Sequence, residues 1–333
     1  MMNKGMRSFL RAVLCLALGL VLCALGLTGM AWLEQSEKNI ARAAQTSLEE
    51  GLLPLLTGGF REGPLGLLGK AAPTVLLALG VSLAWQAGML QLGGAGQYAL
   101  GASAAMLCAS LAGLPWYFCL AAAALAGALW GAAPGALKSR FRLREELGTA
   151  LSAWLALYAL QALSPLFNWE QSRQPDLLVP LLAAAGGMAL LLWLGLRFTV
   201  PGLEIRLLGV SEKTARYAGA ETGKTAFWVL CLSGLLGGLA GGMAYLTGGV
   251  NQLPDLTLAL TGPGLRAVAA AALANGNPLG TVCAAVIVQS LSLGAETLRG
   301  PLFTVEMGET ALALILYGCA CFALRRGKGG WKA

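Results

Sequence analysis

Long apolar runs alternate with short polar interruptions along most of this chain. A helix rises about 1.5 Å per residue, so roughly 20 apolar residues cross a hydrocarbon core of about 30 Å. The pattern predicts an all-α fold, a polytopic transmembrane helical bundle of about ten spans. The predicted apolar runs are residues 12–32, 67–88, 98–114, 116–136, 147–163, 177–196, 225–246, a divided pair within 264–300, and 307–324.

Two of these stretches contain residues that break helices. Residues 84–106 hold a cluster of glycines and glutamines, and residues 275–280 read Asn-Gly-Asn-Pro-Leu-Gly. Backbone freed by such breaks is tolerated at membrane depth only where protein or a water-filled cavity surrounds it. We therefore predict two broken helices, one in each half of the chain, that line a solute pathway. Close helix packing through small residues is the alternative, and it is the interpretation we give to the glycine-rich run 234–242.

Polar or small residues within this otherwise apolar sequence are the candidates for the pathway. Amide side chains both donate and accept hydrogen bonds, so they suit an uncharged, hydroxyl-rich ligand such as a nucleoside or a simple sugar. The predicted pathway residues are Trp85, Gln86, Gln91, Gly93, Gly96, Gln97, Asn275 and Asn277.

The longest charged segment between two apolar runs covers residues 197–224, and we call it the docking segment. Ser211 can cap a short helix whose first turn holds Glu212, and Gly219 lies where a left-handed residue would end that helix. A short, capped, charged helix suits docking onto a soluble partner. An ordinary cytoplasmic connector is the alternative interpretation.

Charge supports a membrane protein with a defined orientation. Only 12% of the 333 residues are charged, which is about half the fraction in a typical globular protein. The net charge of +7 comes from short basic patches between apolar runs, a pattern that sets membrane topology and does not indicate nucleic acid as a partner. With both termini, residues 137–146 and the docking segment on the cytoplasmic side, most lysines and arginines lie inside. The predicted surroundings of the helices are membrane lipid.

Residues suited to catalysis are scarce. The chain has no histidine, and nearly all carboxylates lie in predicted loops. The eight cysteines lie in apolar stretches without metal-ligand spacing and are interpreted as small buried hydrophobes. We predict no enzyme activity, no catalytic or metal site, and no cofactor bound by this chain. Because the predicted spans are almost free of charge, the energy for transport is expected from another subunit.

The domain prediction is a single transmembrane transport domain over residues 1–333. Residues 1–64 comprise an uncleaved first span plus an outer polar segment with a surface-lying helix. Residues 65–325 form the core, and residues 326–333 form a cytoplasmic tail. A stand-alone secondary transporter of a small solute and a membrane scaffold without transport are the competing functional classes.

Three segments, residues 73–102, 204–248 and 270–296, resemble the permease subunits of bacterial ABC importers, in particular the simple-sugar and nucleoside branch related to ribose and branched-chain amino-acid permeases. The resemblance implies a multi-pass protein of the bacterial cell membrane that pairs with a second permease subunit. It also implies an extracytoplasmic solute-binding protein and a cytoplasmic ABC ATPase subunit that binds ATP and Mg²⁺.

The resemblance places the family's coupling helix in the docking segment. The residues implied for ATPase coupling, with the Ser211 cap, are Glu204, Arg206, Gly209, Ser211, Ala215, Arg216, Tyr217 and Gly219. The family pattern NIGAEGQ appears here as QLGGAGQ at residues 91–97, without the acid, and an asparagine often found on the fifth span is replaced by Ala153 or a neighbour. These departures leave the substrate open, with a branched-chain amino acid as an alternative to a nucleoside or sugar.

Overall fold

The computed structural model describes residues 47–61, 63–110, 113–141, 144–164, 178–248 and 262–298, together with isolated positions in 21–28 and 308–314. All regular structure in these residues is helical, as the sequence predicts. The chain divides into two compact units, one of residues 1–67 and 286–333 and the other of residues 68–285.

We number the described α-helices in chain order. They are α1 Leu53–Thr57, α2 Gly63–Gln86, α3 Gly94–Ser110, α4 Trp116–Phe141, α5 Glu145–Leu163, α6 Leu178–Phe198, α7 Val200–Val210, α8 Glu212–Tyr217, α9 Thr222–Leu246, α10 Pro263–Leu273 and α11 Pro278–Glu296.

Five helices in the described part of the chain are long and apolar enough to cross a membrane, namely α2, α4, α6 from residue 179, α9 and α11. The 17-residue α3 and the 19-residue α5 coincide with two further predicted runs. The predicted runs 12–32 and 307–324 lie almost entirely outside the described residues. The count of ten spans and the cytoplasmic termini therefore stay predictions.

Glycines bring three helices of the larger unit into close contact. A Cβ added at Gly238 of α9 would overlap the Ala123 carbonyl oxygen of α4, and one added at Gly101 of α3 would overlap the Gly238 carbonyl oxygen. Gly127 of α4 and Gly234 of α9 face each other in the same way. The predicted role of the run 234–242 in close packing is confirmed, since small residues let helix backbones approach.

The basic patch, residues 137–146, joins α4 to α5. Lys138 in the last turn of α4 pairs with Glu145 in the first turn of α5, with Nζ and Oε2 2.8 Å apart. Both charges lie at the helix ends that favour them, because a helix dipole stabilises cations at its C-terminus and anions at its N-terminus.

In the smaller unit, the segment predicted to lie on the outer side is helical over residues 47–60. A π-helical turn at Ser47–Leu52 leads into α1, and a 3₁₀ turn at Gly58–Phe60 follows it. A Cβ added at Gly294 of α11 would overlap the Leu55 carbonyl oxygen, so α1 lies directly against the end of α11. The close approach of these two backbones fixes the segment in place.

Candidate functional site

The first predicted break lies between α2 and α3, at residues 87–93. Gly88 has a φ of +71°, and the amide of Met89 donates to the Ala84 carbonyl at 3.0 Å. The amide of Gly88 donates to the Trp85 carbonyl at 3.0 Å, which completes a Schellman motif and ends α2. Gly88 adopts this left-handed conformation without steric cost, which allows α2 to end here.

The second predicted break lies between α10 and α11, at residues 274–277, and it ends a helix in the same way. Asn275 has a φ of 51°, and the amides of Asn275 and Gly276 donate to the carbonyls of Ala272 and Ala271. Asparagine is the residue besides glycine that most readily takes the left-handed position. Asn277 then precedes Pro278, the first residue of α11, and its carbonyl accepts a 2.8 Å bond from the Thr281 amide.

These geometries give Asn275 and Asn277 roles that their polarity alone did not suggest. Asn275 ends α10, and Asn277 occupies the position that begins α11, where asparagine is a favoured residue. Both side chains are exposed in the single chain. Their place on a solute pathway stays a prediction.

The two breaks meet. Gln86 Nε2, in the last turn of α2, donates to the Gly276 carbonyl oxygen at 2.8 Å. Trp85 lies on Gly276 so closely that an added Cβ would come within 2.8 Å of the Trp85 Cδ1 atom. Trp85 and Gln86 are half-buried, so the side chains at this junction of the two breaks are partly exposed.

Gln91 and Gln97 form a separate, buried group. Gln91 Nε2 donates to Gln97 Oε1 at 2.7 Å, and each residue is only 1% exposed. Ser233 of α9 donates to Gln91 Oε1 and lies 2.6 Å from the Gly80 carbonyl oxygen of α2. The first break is thereby attached to α2, α3 and α9 by polar contacts within apolar helices.

The Gln97 amide is incompletely satisfied. Its Nε2 atom is buried and has no hydrogen-bond partner in the described part of the chain. The amide is packed between Gly131 of α4 and Gly237 of α9, where an added Cβ would come within 3.3 Å of Nε2 and 2.9 Å of Oε1 respectively. Two glycines in neighbouring helices therefore make the space that this side chain occupies.

Gly93 and Gly96 pack against α5. A Cβ at Gly96 would come within 2.8 Å of the Ala153 Cα, and one at Gly93 within 3.2 Å of the Thr149 carbonyl oxygen. The Leu92 amide donates to Thr149 Oγ1 at 3.2 Å. Close packing, the alternative considered for this cluster, is thus observed together with the break in the helix.

The predicted pathway residues lie at two levels. Ser233, the partner of Gln91, lies about 16 Å along α9 from its first residue at 1.5 Å per residue, close to the middle of that helix. The junction of Gln86 with Gly276 lies instead at the end of α2, beside the docking segment. The sequence pattern did not predict roles for Thr149 and Ser233, although an isolated hydroxyl side chain in an apolar helix is a signal for such a position.

The docking segment contains the predicted capped helix and one further helix. Ser211 Oγ accepts a 3.2 Å bond from the Lys213 amide, so it caps α8 as expected. Gly219 has a φ of +85°, and the amide of Ala220 donates to the Ala215 carbonyl at 3.0 Å in a third Schellman motif. The unpredicted α7 starts after Thr199, whose Oγ1 accepts from the Gly202 amide at 3.2 Å.

The residues predicted for ATPase coupling divide into inward and outward groups. Ala215 is fully buried, and Glu204 of α7 accepts a 3.2 Å bond from Thr225 Oγ1 in the first turn of α9. Arg206, Arg216 and Tyr217 are exposed, and Tyr217 is 92% exposed. The outward group combines two cations with a large aromatic ring, which is the composition of a protein-binding surface.

A groove of about 440 Å³ runs between the docking segment and α9. Its polar end holds Glu204, Glu221 and Lys224, and its apolar end holds Trp228 and Leu232. Lys224 Nζ and Glu221 Oε2 are 2.6 Å apart and exposed, so this ion pair contributes little to stability.

Gly209 connects the docking segment to the first break. A Cβ on Gly209 would overlap the Gln86 carbonyl oxygen, and one on Gly88 would come within 3.1 Å of the Gly209 Cα. Ile205 of α7 packs in one apolar cluster with Leu83 and Met89. The structure therefore brings together Gly209, Gln86 and Gly276 from three distant parts of the chain.

Apolar helices of spanning length, broken helices that meet, and a capped polar segment are the features of a multi-pass helical membrane protein. Residues 63–319 match the family described as the branched-chain amino acid transport system / permease component, and the chain belongs to that family. It is a transmembrane permease subunit, and the resemblance seen in the sequence is confirmed.

Curated relatives are similar over most of their length. The guanosine ABC transporter permease protein NupP of Bacillus subtilis (strain 168) is 29% identical over 289 residues, covering 77% of this chain and 80% of the relative. The nucleoside ABC transporter permease protein NupB of Lactococcus lactis subsp. cremoris (strain MG1363) is 23% identical over 280 residues, covering 74% and 75%. The galactofuranose transporter permease protein YtfT of Escherichia coli (strain K12) is 27% identical over 267 residues, covering 76% and 77%.

Proposed function

We propose that this chain forms the membrane path by which an ABC importer brings a nucleoside into a bacterial cell. The observation on which the proposal depends is the junction of the two broken helices at Gln86 and Gly276. The names of the relatives support the solute class, since guanosine, nucleosides and galactofuranose are uncharged and rich in hydroxyl groups.

The chemistry of the junction favours an uncharged solute. An amino acid carries two opposite charges, and a buried charge is costly unless it is paired. The predicted pathway side chains are amides and one indole, which pair with hydroxyl and ring nitrogen groups but do not neutralise charge. Trp85 adds an aromatic ring on which a nucleobase can stack.

The proposed assembly follows from the family. A second permease subunit completes the path, an extracytoplasmic binding protein delivers the solute, and a cytoplasmic ATPase binds ATP and Mg²⁺. Ten spans with both termini in the cytoplasm, in the bacterial plasma membrane, belong to the same proposal. A cysteine introduced by Thr214→Cys should react with an impermeant maleimide in inverted vesicles and not in intact cells, and reaction in intact cells would refute this orientation.

We propose that the ATPase binds the exposed side chains of the docking segment. Arg206, Arg216 and Tyr217 project from α7 and α8. Glu204, Ser211, Ala215 and Gly219 hold the shape of the segment from within, through the cap, the buried methyl group and the left-handed turn described above. In this proposal, the exposed residues of the predicted coupling set contact the ATPase, and the others maintain the shape of the surface.

The test is uptake by the reconstituted transporter. Proteoliposomes holding the permease, its ATPase and its binding protein are offered labelled guanosine, galactose or leucine, with ATP or a non-hydrolysable analogue inside. We expect ATP-dependent guanosine uptake. Leucine uptake would assign the chain to the branched-chain amino-acid substrates in the family's description. Guanosine flux through the permease alone, without ATP, would instead establish a secondary transporter.

A further inference from the structure

Gln86 lies at the centre of a chain of contacts from the docking segment to the second break. Its backbone carbonyl packs against Gly209, where a Cβ would overlap the carbonyl oxygen. Its side chain reaches the other way and donates from Nε2 to the Gly276 carbonyl at 2.8 Å. One residue therefore contacts the end of α7 and the turn between α10 and α11.

The contacts on the α7 side are tight. Gly209 and Gly88 face each other at backbone distance, and neither has a side chain that could yield. Ile205, one turn earlier in α7, packs with Leu83 and Met89 on either side of the end of α2. Leu83, Met89 and Ile205 are buried, and a cluster packed at interior density passes on a displacement because it has little free volume in which to absorb it.

The second break is able to respond. Residues 274–277 form a turn held by the bonds that end α10, and Asn275 and Gly276 both have positive φ. A turn between two helices can change its dihedral angles without breaking the hydrogen bonds inside either helix. Trp85 packs on Gly276, so a displaced α2 end would move the turn through two adjacent side chains.

We infer that Gln86 is a positioning residue that transmits movement of the docking segment to the second break, with Gly209 as the contact that drives it. The inference rests on the proposed docking of an ATPase at residues 197–224. It goes further by assigning the link between that dock and the pathway to one side-chain amide and one glycine.

Amide hydrogen exchange in the whole complex tests this link without knowledge of the solute. The full chain with its ATPase is placed in lipid nanodiscs, and exchange in residues 270–281 is compared before and after trapping with ATP, Mg²⁺ and vanadate. Trapping should change exchange at the second break by about threefold to thirtyfold in the wild type. Gln86→Glu, which keeps the size of the side chain but removes the donor, and Gly209→Ala should abolish that trapping-dependent difference.

Gly187→Ala is the matched control, because a Cβ at this α6 glycine meets no atom within 4 Å. This variant should keep the wild-type difference in amide exchange between the free and trapped states. A purely structural role for Gln86 would raise exchange equally in both states and preserve the trapping difference, and that result would overturn the inference. An absent trapping difference in a wild-type complex would also overturn it. Failure of the ATPase to co-purify would show at an earlier step that the proposed function itself is wrong.

Discussion

Gln91 donates a hydrogen bond to Gln97 across 2.7 Å in the interior of the bundle, although both side chains were expected along a solute path. The pair bridges the first break and the first turn of α3, and Ser233 of α9 adds a third polar group. Such a buried network is worth most when it is complete, since a lone buried amide costs its full desolvation energy.

Removing one member of this pair should leave the other unpaired, so the costs of removing each member should not add. We expect Gln91→Leu to lower the free energy of unfolding by about 1–3 kcal/mol, because Gln97 then loses its partner. Gln91→Leu with Gln97→Leu should cost less than the sum of the two single changes. Unfolding in mixed detergent micelles measures each value. Gln161→Leu, at an exposed position of α5, is the control, and equal stability of Gln91→Leu and this control would contradict the network.

The glycine contacts of α9 predict a second stability effect. Gly238→Ala would place a methyl group against the Ala123 carbonyl and force α4 away from α9, at a cost of about 1–3 kcal/mol. The same micelle unfolding assay measures it. Gly187→Ala adds the same methyl group in open space and should leave stability unchanged within error. If both variants unfold alike, the backbones of α4 and α9 are not in the contact described.

The left-handed turn at the end of α8 predicts that substituting Gly219 has a local effect on amide exchange. Gly219→Ala keeps open space around the new Cβ but forces alanine to a φ of +85°, which costs about 1 kcal/mol. The strain should raise amide exchange within residues 212–221 and leave α9 unaffected beyond its first turn. Gly186→Ala, in a helix and equally free of contacts, should not raise exchange. Unchanged exchange in Gly219→Ala would mean that the left-handed turn does not end α8.

Charge reversal on the docking segment should remove ATPase binding without unfolding the chain. Arg216 Nη2 lies 2.6 Å from Glu212 Oε1 in an exposed pair, whose loss costs little stability. Arg206→Glu with Arg216→Glu should therefore insert normally and lose co-purification with the ATPase by about tenfold or more. Arg144→Glu, exposed in the basic patch between α4 and α5, is the control for a reversed charge outside the docking segment. If only Arg144→Glu lost ATPase binding, the ATPase-binding surface would be assigned to residues 137–146.

Local chemistry explains which features the sequence could predict. The Ser211 cap, the left-handed Gly219 and the interruption after Gln86 each depend on residues within a few positions of one another. Helix α7 was not predicted because the charges of Glu204 and Arg206 were taken to indicate a loop. Thr199 and Pro201 nevertheless provide a helix start signal, since such residues are common at helix N-termini. Asn275 and Asn277 were selected for polarity, whereas the structure shows them ending one helix and beginning the next.

The sequence by itself determined the class of the protein, the positions of its apolar helices, the two breaks and the capped polar segment, because hydrophobic run length, glycine and capping residues act locally. Only the tertiary structure decided that Gln86 bonds to Gly276, 190 positions away, and that Gly209 packs on the same residue. It also decided that Gln91 and Gln97 are buried against each other. These contacts depend on how whole helices pack, and a pattern of neighbouring residues does not contain that information.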